Sequence, residues 1–576
     1  MLAFLLLAAA LFPSILALGA GSALTLVPCG ASPSSLVAYT PADGTLRDSA
    51  TATLCATLVA ASPAQLVMQP CVPGLPNQTW AFDPARSTLA QGPLCLNTQG
   101  SEASPRRPVS TWPCTDLAWN SYFYLGDGRR VVANCTSPAS CGPSAPAFCV
   151  GASLGRALSL ATVVRYWTVE TTRTEHLLNN ESAIHTVANC RALRDAVSAG
   201  WPGATITWAF SWVALHAGDG EYPAIRSLVA GYVAMYGDEF SFIPGGYFAP
   251  MYNTEAQTSA DIHDALATIT ATVGGGYRPR AIIAGYLGAQ TMARLAAVEG
   301  IHVAQATIFS QYNIDFGDGD GGSPYPYFPS TQHYLKPAQG LEDFIDVVSM
   351  DGWTVDFLAA RRNGFADGFN SRMGVGPIET IRNEGPAKGF IEQMHATSQH
   401  FDQGFALNGE AFVTSIWEVS LASAINVSYL TQWLAAVRAE WPDAAAITHG
   451  EYGLQWRAQY AGNNSYNYSW VEIGSGIGGS DADKELTFFA NRAFRLVLLR
   501  NLTDVGGAGL CIDFTRYAGV DFSEPTGLTR SWNLMYAGGP NMKQSRGAED
   551  EPRSLSELAP SDQLLIKQWL PGLPLH

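Results

Sequence analysis

Three tripeptides ending in Pro-Cys divide the first part of the chain into near-equal lengths: Val27-Pro28-Cys29, Gln69-Pro70-Cys71 and Trp112-Pro113-Cys114, 42 and 43 residues apart. Each is followed by another cysteine: Cys55, Cys95, and Cys135 or Cys149. Between the later copies, Asn77-Gln78-Thr79-Trp80-Ala81-Phe82 aligns with Trp119-Asn120-Ser121-Tyr122-Phe123-Tyr124. A period near 40 built of short alternating segments means that one copy cannot bury its own apolar side, whereas three can close on themselves. Eight of the ten cysteines lie before residue 150, which suits an oxidised module and an oxidising compartment.

With these repeats on the page, residues 24–155 resemble the ricin-B-type β-trefoil lectins, whose Gln-x-Trp hallmark is intact at Gln78-Thr79-Trp80. The resemblance implies that this motif packs the pseudo-threefold core and that sugar is held elsewhere, by an Asp, an aromatic and polar side chains in each lobe. It also implies disulfides Cys55–Cys71 and Cys95–Cys114, with Cys29 then paired to Cys149 and Cys135 to Cys141. No lobe Asp stands out in each copy, so a trefoil that no longer binds sugar stays open beside the lectin reading.

Leu2 to Leu18 form an apolar run broken only by Pro13 and Ser14, followed by small residues at Gly19–Ser22. This pattern predicts a signal peptide over 1–23 and a secreted product, or one held in the secretory lumen. An uncleaved anchor is the alternative; after cleavage no stable membrane insertion is expected, because every later apolar stretch is interrupted by His or a charge. Seven sequons fit that route: Asn77, Asn134, Asn180, Asn426, Asn463, Asn467 and Asn501. The formal charge is −16, with only five Lys against 28 Arg, and no basic stripe interrupts it, so a nucleic-acid partner is excluded. The expected partner is a glycan or polysaccharide.

After residue 160 the pattern changes to apolar runs separated by amphipathic stretches of helical length. Expected strands are Tyr166–Glu170, Thr205–Trp212, Glu239–Phe248, Arg280–Leu287, His302–Gln311, Phe344–Met350, Ala411–Trp417, Ala445–Thr448, Tyr468–Ile473 and Leu510–Phe514. Expected helices are Ala183–Ala199, Tyr222–Tyr236, Thr258–Val273, Ala289–Glu299, Tyr429–Trp441 and Lys484–Leu499. Repeated βα units of about 40 residues argue for a (β/α) barrel. The fold class is thus an all-β trefoil followed by an α/β barrel, first half 160–375 and completion 376–576, with a C-terminal α/β extension.

Several of these strands end in polar aromatics, where a parallel barrel builds its active site. Trp208, Trp212, Tyr247, Gln311, Tyr312, Trp353 and Trp417 are the expected sugar-binding residues. Two long strings, Asp351-Gly352-Trp353-Thr354-Val355-Asp356-Phe357 with its continuation to Arg362, and Gly474-Ser475-Gly476-Ile477-Gly478-Gly479 with its continuation to Glu485, resemble a paired domain-of-unknown-function family. Ile206–Trp212, Tyr236–Glu239 and Asp318–Gly321 leading into Tyr325-Pro326-Tyr327 belong to the same resemblance, which runs from about residue 166 to the end. It implies an irregular barrel of the glycoside hydrolase/deacetylase type and leaves the reaction unassigned.

Glycosidic hydrolysis needs two carboxyls across the bond, and Glu418 and Glu451 are the expected pair, with Asp351 as a third carboxylate. A deacetylase would need a divalent metal; His176, His216, His263 and the acids Asp238-Glu239 are its candidates, although their spacing does not demand convergence. Asp315–Gly322 offers oxygen ligands that could hold Ca²⁺, but an acidic turn is the simpler reading. No metal site is assigned, and Zn²⁺ or Ca²⁺ is only weakly supported. The Gly474–Gly479 run reads as a tight turn, with Ser480 or Asp481 capping the helix expected after it. The leading expectation is a secreted glycoside hydrolase with an appended lectin module. The alternatives are a metal-dependent polysaccharide deacetylase and a non-catalytic glycan-binding protein.

Overall fold

The computed structural model describes residues 24–28, 37–40, 42–48, 53–59, 65–83, 88–91, 94–98, 109–114, 123–125, 131–133, 148–152, 154–247, 249–307, 323–362, 377–460, 466–504, 509–525, 528, 534 and 551–575. They divide into two compact units: residues up to Gly155 with the short pieces 408–410 and 458–461, and the rest. The expected signal peptide lies outside the described residues, as do Cys29, Cys135, Cys141 and the side chain of Cys149. No helix among the described residues is long and apolar enough to cross a membrane.

The first unit is all β. Its larger sheet has eight strands, running from Val37–Thr40 at one edge to Ala81–Asp83 at the other, and its smaller sheet has four. Val37, Leu46, Ala56, Leu66, Met68, Trp80, Leu89 and Leu96 form its core. The Gln78 side chain sits inside, donating to Thr57 Oγ1 at 2.8 Å and to the Pro70 carbonyl at 3.0 Å, and accepting from the Val72 N–H at 2.8 Å. Trp80 Nε1 donates to the Ala56 carbonyl. The hallmark is therefore structural, as the resemblance implies. Disulfides Cys55–Cys71 and Cys95–Cys114 are both formed.

In the larger unit the strands are β1 (Gly155–Val164), β2 (Ile206–Phe210), β3 (Glu239–Phe242), β4 (Ile282–Ile283), β5 (Val303–Thr307), β6 (Val348–Asp351), β7 (Glu410–Ile416) and β8 (Ala445–Ala446). They form two hydrogen-bonded arcs: β3-β2-β1-β7 with β8 beside β1, and β4-β5-β6. β1 pairs in parallel with β2 and β8, β2 with β3, β4 with β5 and β5 with β6. Side-chain and backbone bonds link the arcs, Ser241 Oγ donating to the Ala281 carbonyl and the Thr354 N–H to the Thr414 carbonyl.

Helices cover the strands where their ends are chemically marked. Tyr222–Tyr236 begins with Pro223 in its first turn and stops at Gly237, whose φ of 75° suits a residue without a Cβ. Glu255–Val273 opens on a Thr254/Gln257 capping box.

Three expectations are corrected. The barrel-type sheet starts at β1, earlier than Tyr166; Trp167–Glu170 instead pairs antiparallel with His176–Asn180 in a hairpin. Lys484–Leu499 is not a helix but two antiparallel strands, β10 (Lys484–Asn491) and β11 (Phe494–Asn501), between β9 (Asn467–Ile473) and β12 (Leu510–Arg516). In β10 burial alternates from Leu486 to Ala490, so Leu486, Phe488 and Ala490 share the inner face at period two. Consequently Ser480 caps no helix: it closes the hairpin loop, its carbonyl accepting from Gly476 and its hydroxyl from Ser475. A Cβ on Gly474 would meet the Asp481 carbonyl oxygen at 1.8 Å, which explains the glycine there.

Candidate active site at the C-terminal strand ends

Arg165 follows the apolar run that makes β1, and Glu418 follows β7 by two residues, so adjacent strands deliver them to the same end of the sheet. The Arg165 guanidinium bonds Glu181 through Nε at 2.7 Å and Nη2 at 3.1 Å, and Glu418 through Nη2 at 2.7 Å and Nη1 at 3.4 Å. All three are buried. Burial opposes the charge on Arg165, but Glu418 and Glu181 outweigh it and raise its pKa. Burial likewise opposes ionisation of Glu181; His185 and Arg165 overcome this and hold it at about 2. The Tyr247 phenol faces Glu418 and Arg165 and is pushed well above its ordinary range, by burial first and Glu418 next. Its backbone has φ 85°, in the left-handed region that a bulky residue rarely occupies, so the chain holds this ring in place at some conformational cost.

Glu170 ends the first strand of the hairpin beside this group. It accepts from Ser211 Oγ at 2.6 Å and from the Val213 N–H at 3.0 Å, and burial nevertheless pushes it up to about 7. The same end of the sheet thus carries one carboxyl held ionised and another that retains its proton near neutrality. Further along, Asp356, Glu392 and Glu472 are also buried together; burial, reinforced by Asp356, raises both Glu392 and Glu472.

The expected pair Glu418 and Glu451 is not brought together. Glu451 lies near Arg280, 4.0 Å away, and three residues after Thr448, at the end of the sheet where β8 pairs with Ala157 and Leu158. Arg165 lies seven residues beyond Leu158 along β1, which is roughly 20 Å at strand spacing. Period-blind reading placed both carboxyls after strands; it could not see that β8 stops at the opposite end. Asp351 ends β6 on the correct side and is 1% exposed.

The expected sugar platforms are largely core. Trp208 is fully buried with Nε1 on Asp238, and Trp417 and Trp353 are buried. Trp212 is half-buried, stacked on His216 with the Arg173 guanidinium 4.6 Å over its ring. Gln311, Tyr312 and the Asp315–Gly322 loop lie outside the described residues. The three histidines do not converge: His176 stacks on Trp167, His216 meets Thr268 and Asp264, and His263 pairs with Glu299. Asp238 is held by Arg194, Trp208 and the Ile206 N–H, and Glu239 by the Arg280 and Ala281 N–H groups, all at the other end of the sheet. Among the described residues no group of three or more His, Cys, Asp or Glu is placed to hold a metal ion. Of the sequons, Asn180, Asn426 and Asn467 are exposed, whereas Asn77 spends its amide on the Leu58 carbonyl.

Arg165, Glu181, Glu170 and His185 were not anticipated. The signal was present in Ala157–Val164, an eight-residue apolar run ending in a lone Arg, which reads as a buried strand delivering a charge to its end.

Comparison with known proteins agrees with this layout. Residues 16–123 match the ricin-type β-trefoil lectin domain, 151–490 a Domain of Unknown Function family with solved structure (DUF3863), and 495–573 a second such family (DUF3864). A crystal structure from Parabacteroides distasonis, described as a presumed glycoside hydrolase/deacetylase, is 37% identical over 73% of this chain and 98% of its own, with a TM-score of 0.68. A presumed polysaccharide deacetylase from Pseudomonas aeruginosa is 12% identical over 52% of this chain and 91% of its own, with a TM-score of 0.34, a likeness too slight to argue from. No curated protein matches the chain. The chain belongs to the DUF3863 family, carrying a DUF3864 domain behind it and a ricin-type β-trefoil lectin domain in front.

Proposed function

We propose that this is a secreted, glycan-directed enzyme of glycoside-hydrolase type, in which the trefoil holds glycan and carboxyl groups at the C-terminal strand ends cut it. The two strand arcs are read as one irregular (β/α) barrel. The supporting observation is the Arg165 hub, which gathers Glu181, Glu418 and Tyr247 at the end where such barrels do chemistry, with Glu170 five residues further along the chain. Cleaving a glycosidic bond takes a proton donor and a charged carboxylate, and environments that push two carboxyls apart mark the roles. Glu170, at about 7, takes the role of proton donor; Glu418, ion-paired to Arg165, takes that of the second carboxyl; Glu181, at about 2, fixes Arg165. Ser211 can turn its hydroxyl from donor to acceptor when Glu170 carries the proton. Tethering to glycan through the trefoil raises the local substrate concentration without altering the chemistry.

A non-catalytic glycan-binding protein is the second reading, favoured by one observation: Glu418 is 6% exposed, with both oxygens on Arg165. One experiment separates the readings. The full chain, secreted from a eukaryotic host, is incubated with a polysaccharide panel while reducing ends and acetate are both measured. Reducing ends support the hydrolase and acetate the deacetylase. Glycan retention with neither product supports the second reading. Amino-terminal sequencing of the same material tests cleavage near residue 23.

A further inference from the structure

A cleft of about 250 Å³ opens between the segments that follow β3 and β4, with the stretch around residue 524 as its third wall. Its lining includes two carboxylates, Glu255 and Glu524, with the polar side chains of Thr258 and Gln290 and the apolar surfaces of Pro525 and Leu528. Among the described residues no Lys, Arg or His lines it.

Glu524 is the unusual member. Its Oε1 accepts from the backbone N–H groups of Ala289 at 2.7 Å and Tyr334 at 2.8 Å. Its Oε2 has no hydrogen-bond partner among the described residues, yet it is not one of the buried unsatisfied atoms, so it reaches open space. Burial pushes this carboxyl up to about 7, and no charged side chain contributes to that shift. A half-desolvated carboxyl with one oxygen pinned and one open has no cation beside it among the described residues.

We propose that the cleft binds a hydroxylated ligand carrying an ammonium group, of which an amino-sugar unit of a glycan is the simplest. The open Glu524 oxygen accepts the ammonium protons, and a charge-assisted bond in a partly desolvated cleft is stronger than one in water. Thr258 and Gln290 address ring hydroxyls, and Pro525 with Leu528, which is 56% exposed, offers a surface for the C–H face of a pyranose. A neutral sugar makes the hydroxyl contacts only, and an anionic sugar meets two carboxylates. Its lining includes none of Arg165, Glu181 and Glu418, although Asn253 in the lining donates to the Glu170 carbonyl at 3.4 Å.

The test titrates the full chain at pH 7 with glucosamine, glucose and N-acetylglucosamine by calorimetry. Glucosamine should bind at least tenfold more tightly than the other two. Glu524→Gln keeps the acceptor for Ala289 and Tyr334 but removes the charge, and should bring the three sugars within about twofold of each other. Gln290→Ala, at an exposed position that folding does not need, should weaken glucosamine several-fold. Equal affinity for the three sugars in the unaltered chain overturns the proposal. So does a glucosamine affinity that survives both substitutions, which would place binding on the trefoil or elsewhere.

Discussion

Before Gly155 the buried polar side chains among the described residues are Thr45, Thr57, Gln78 and Thr88, all neutral. The larger unit buries Arg165, Arg194 and Arg495 together with Glu170, Glu181, Glu392, Glu472 and Asp513. Among the described residues the first unit carries two disulfides, whereas Cys190 and Cys511 of the second are in no disulfide. The contrast follows from size. A small β unit has little apolar area to offset chain entropy and gains from covalent loops closed in the unfolded state. A large region has enough core to carry buried charge, and buried charge is what chemistry at a strand end requires.

The largest expected effect is on the larger unit's buried ion pairs. Arg495 meets Asp513 through Nη2 at 2.7 Å, both essentially unexposed. Asp513→Ala should cost about 3–5 kcal/mol, seen as a lower denaturation midpoint, whereas the paired change Arg495→Met with Asp513→Leu should cost much less. Comparable loss in both variants would show that packing, not charge, is what the pair contributes.

Reduction should act on the other side of the contrast. The bridged cysteines are 16 and 19 residues apart, so each bridge contributes about 3 kcal/mol to the first unit. Hydrogen exchange under reductant should rise across Val37–Pro113 and stay constant across β1 to β3. Cys190, which burial pushes up to about 12, should resist alkylation in the folded chain.

Alkaline pH should reverse the order. Glu392 and Glu472 stay protonated in the folded chain while unfolded carboxyls ionise, so the folded state binds more protons and stability falls as pH rises. Below about 6.5 the buried imidazoles of His400 and His449, held near 4, act in the opposite sense, because the unfolded chain protonates them first. The fall therefore shows between pH 6.5 and 8.5. In the first unit Asp43 is lowered by its bond from Thr45, so its contribution is kept as pH rises over the same range. Melting followed at several pH values by region-resolved exchange would show it.

The smallest effect is expected at Glu451. It is 39% exposed and, among the described residues, its one ion pair is at 4.0 Å, so Glu451→Gln should change stability by no more than about 0.5 kcal/mol.

The two units also differ in how far the chain's letters reveal them. In the first, the repeats and Gln78-Thr79-Trp80 carry the resemblance to trefoil lectins, and that resemblance implies the core role of the motif and the bridges Cys55–Cys71 and Cys95–Cys114. In the second, Tyr222–Tyr236 is legible to the residue, since Pro223 and Gly237 mark its ends. Lys484–Leu499 is not, because Phe494–Leu498 is buried at successive positions, and a continuous apolar run does not tell strand from helix. Glu418 was legible as a carboxyl after a strand; its bond to Arg165, 253 residues away, was not. Glu451 failed for the same reason, since which end of a sheet a short strand reaches depends on register.

The most direct test of the account compares turnover in Glu418→Gln and Glu451→Gln on whichever glycan the unaltered chain cleaves. A charged carboxylate at the strand ends predicts a loss of at least about a thousandfold in kcat for the first, with melting still cooperative, and a change within twofold for the second. Full turnover in Glu418→Gln, or its loss in Glu451→Gln alone, would contradict the assignment of the chemistry to the Arg165 end of the sheet.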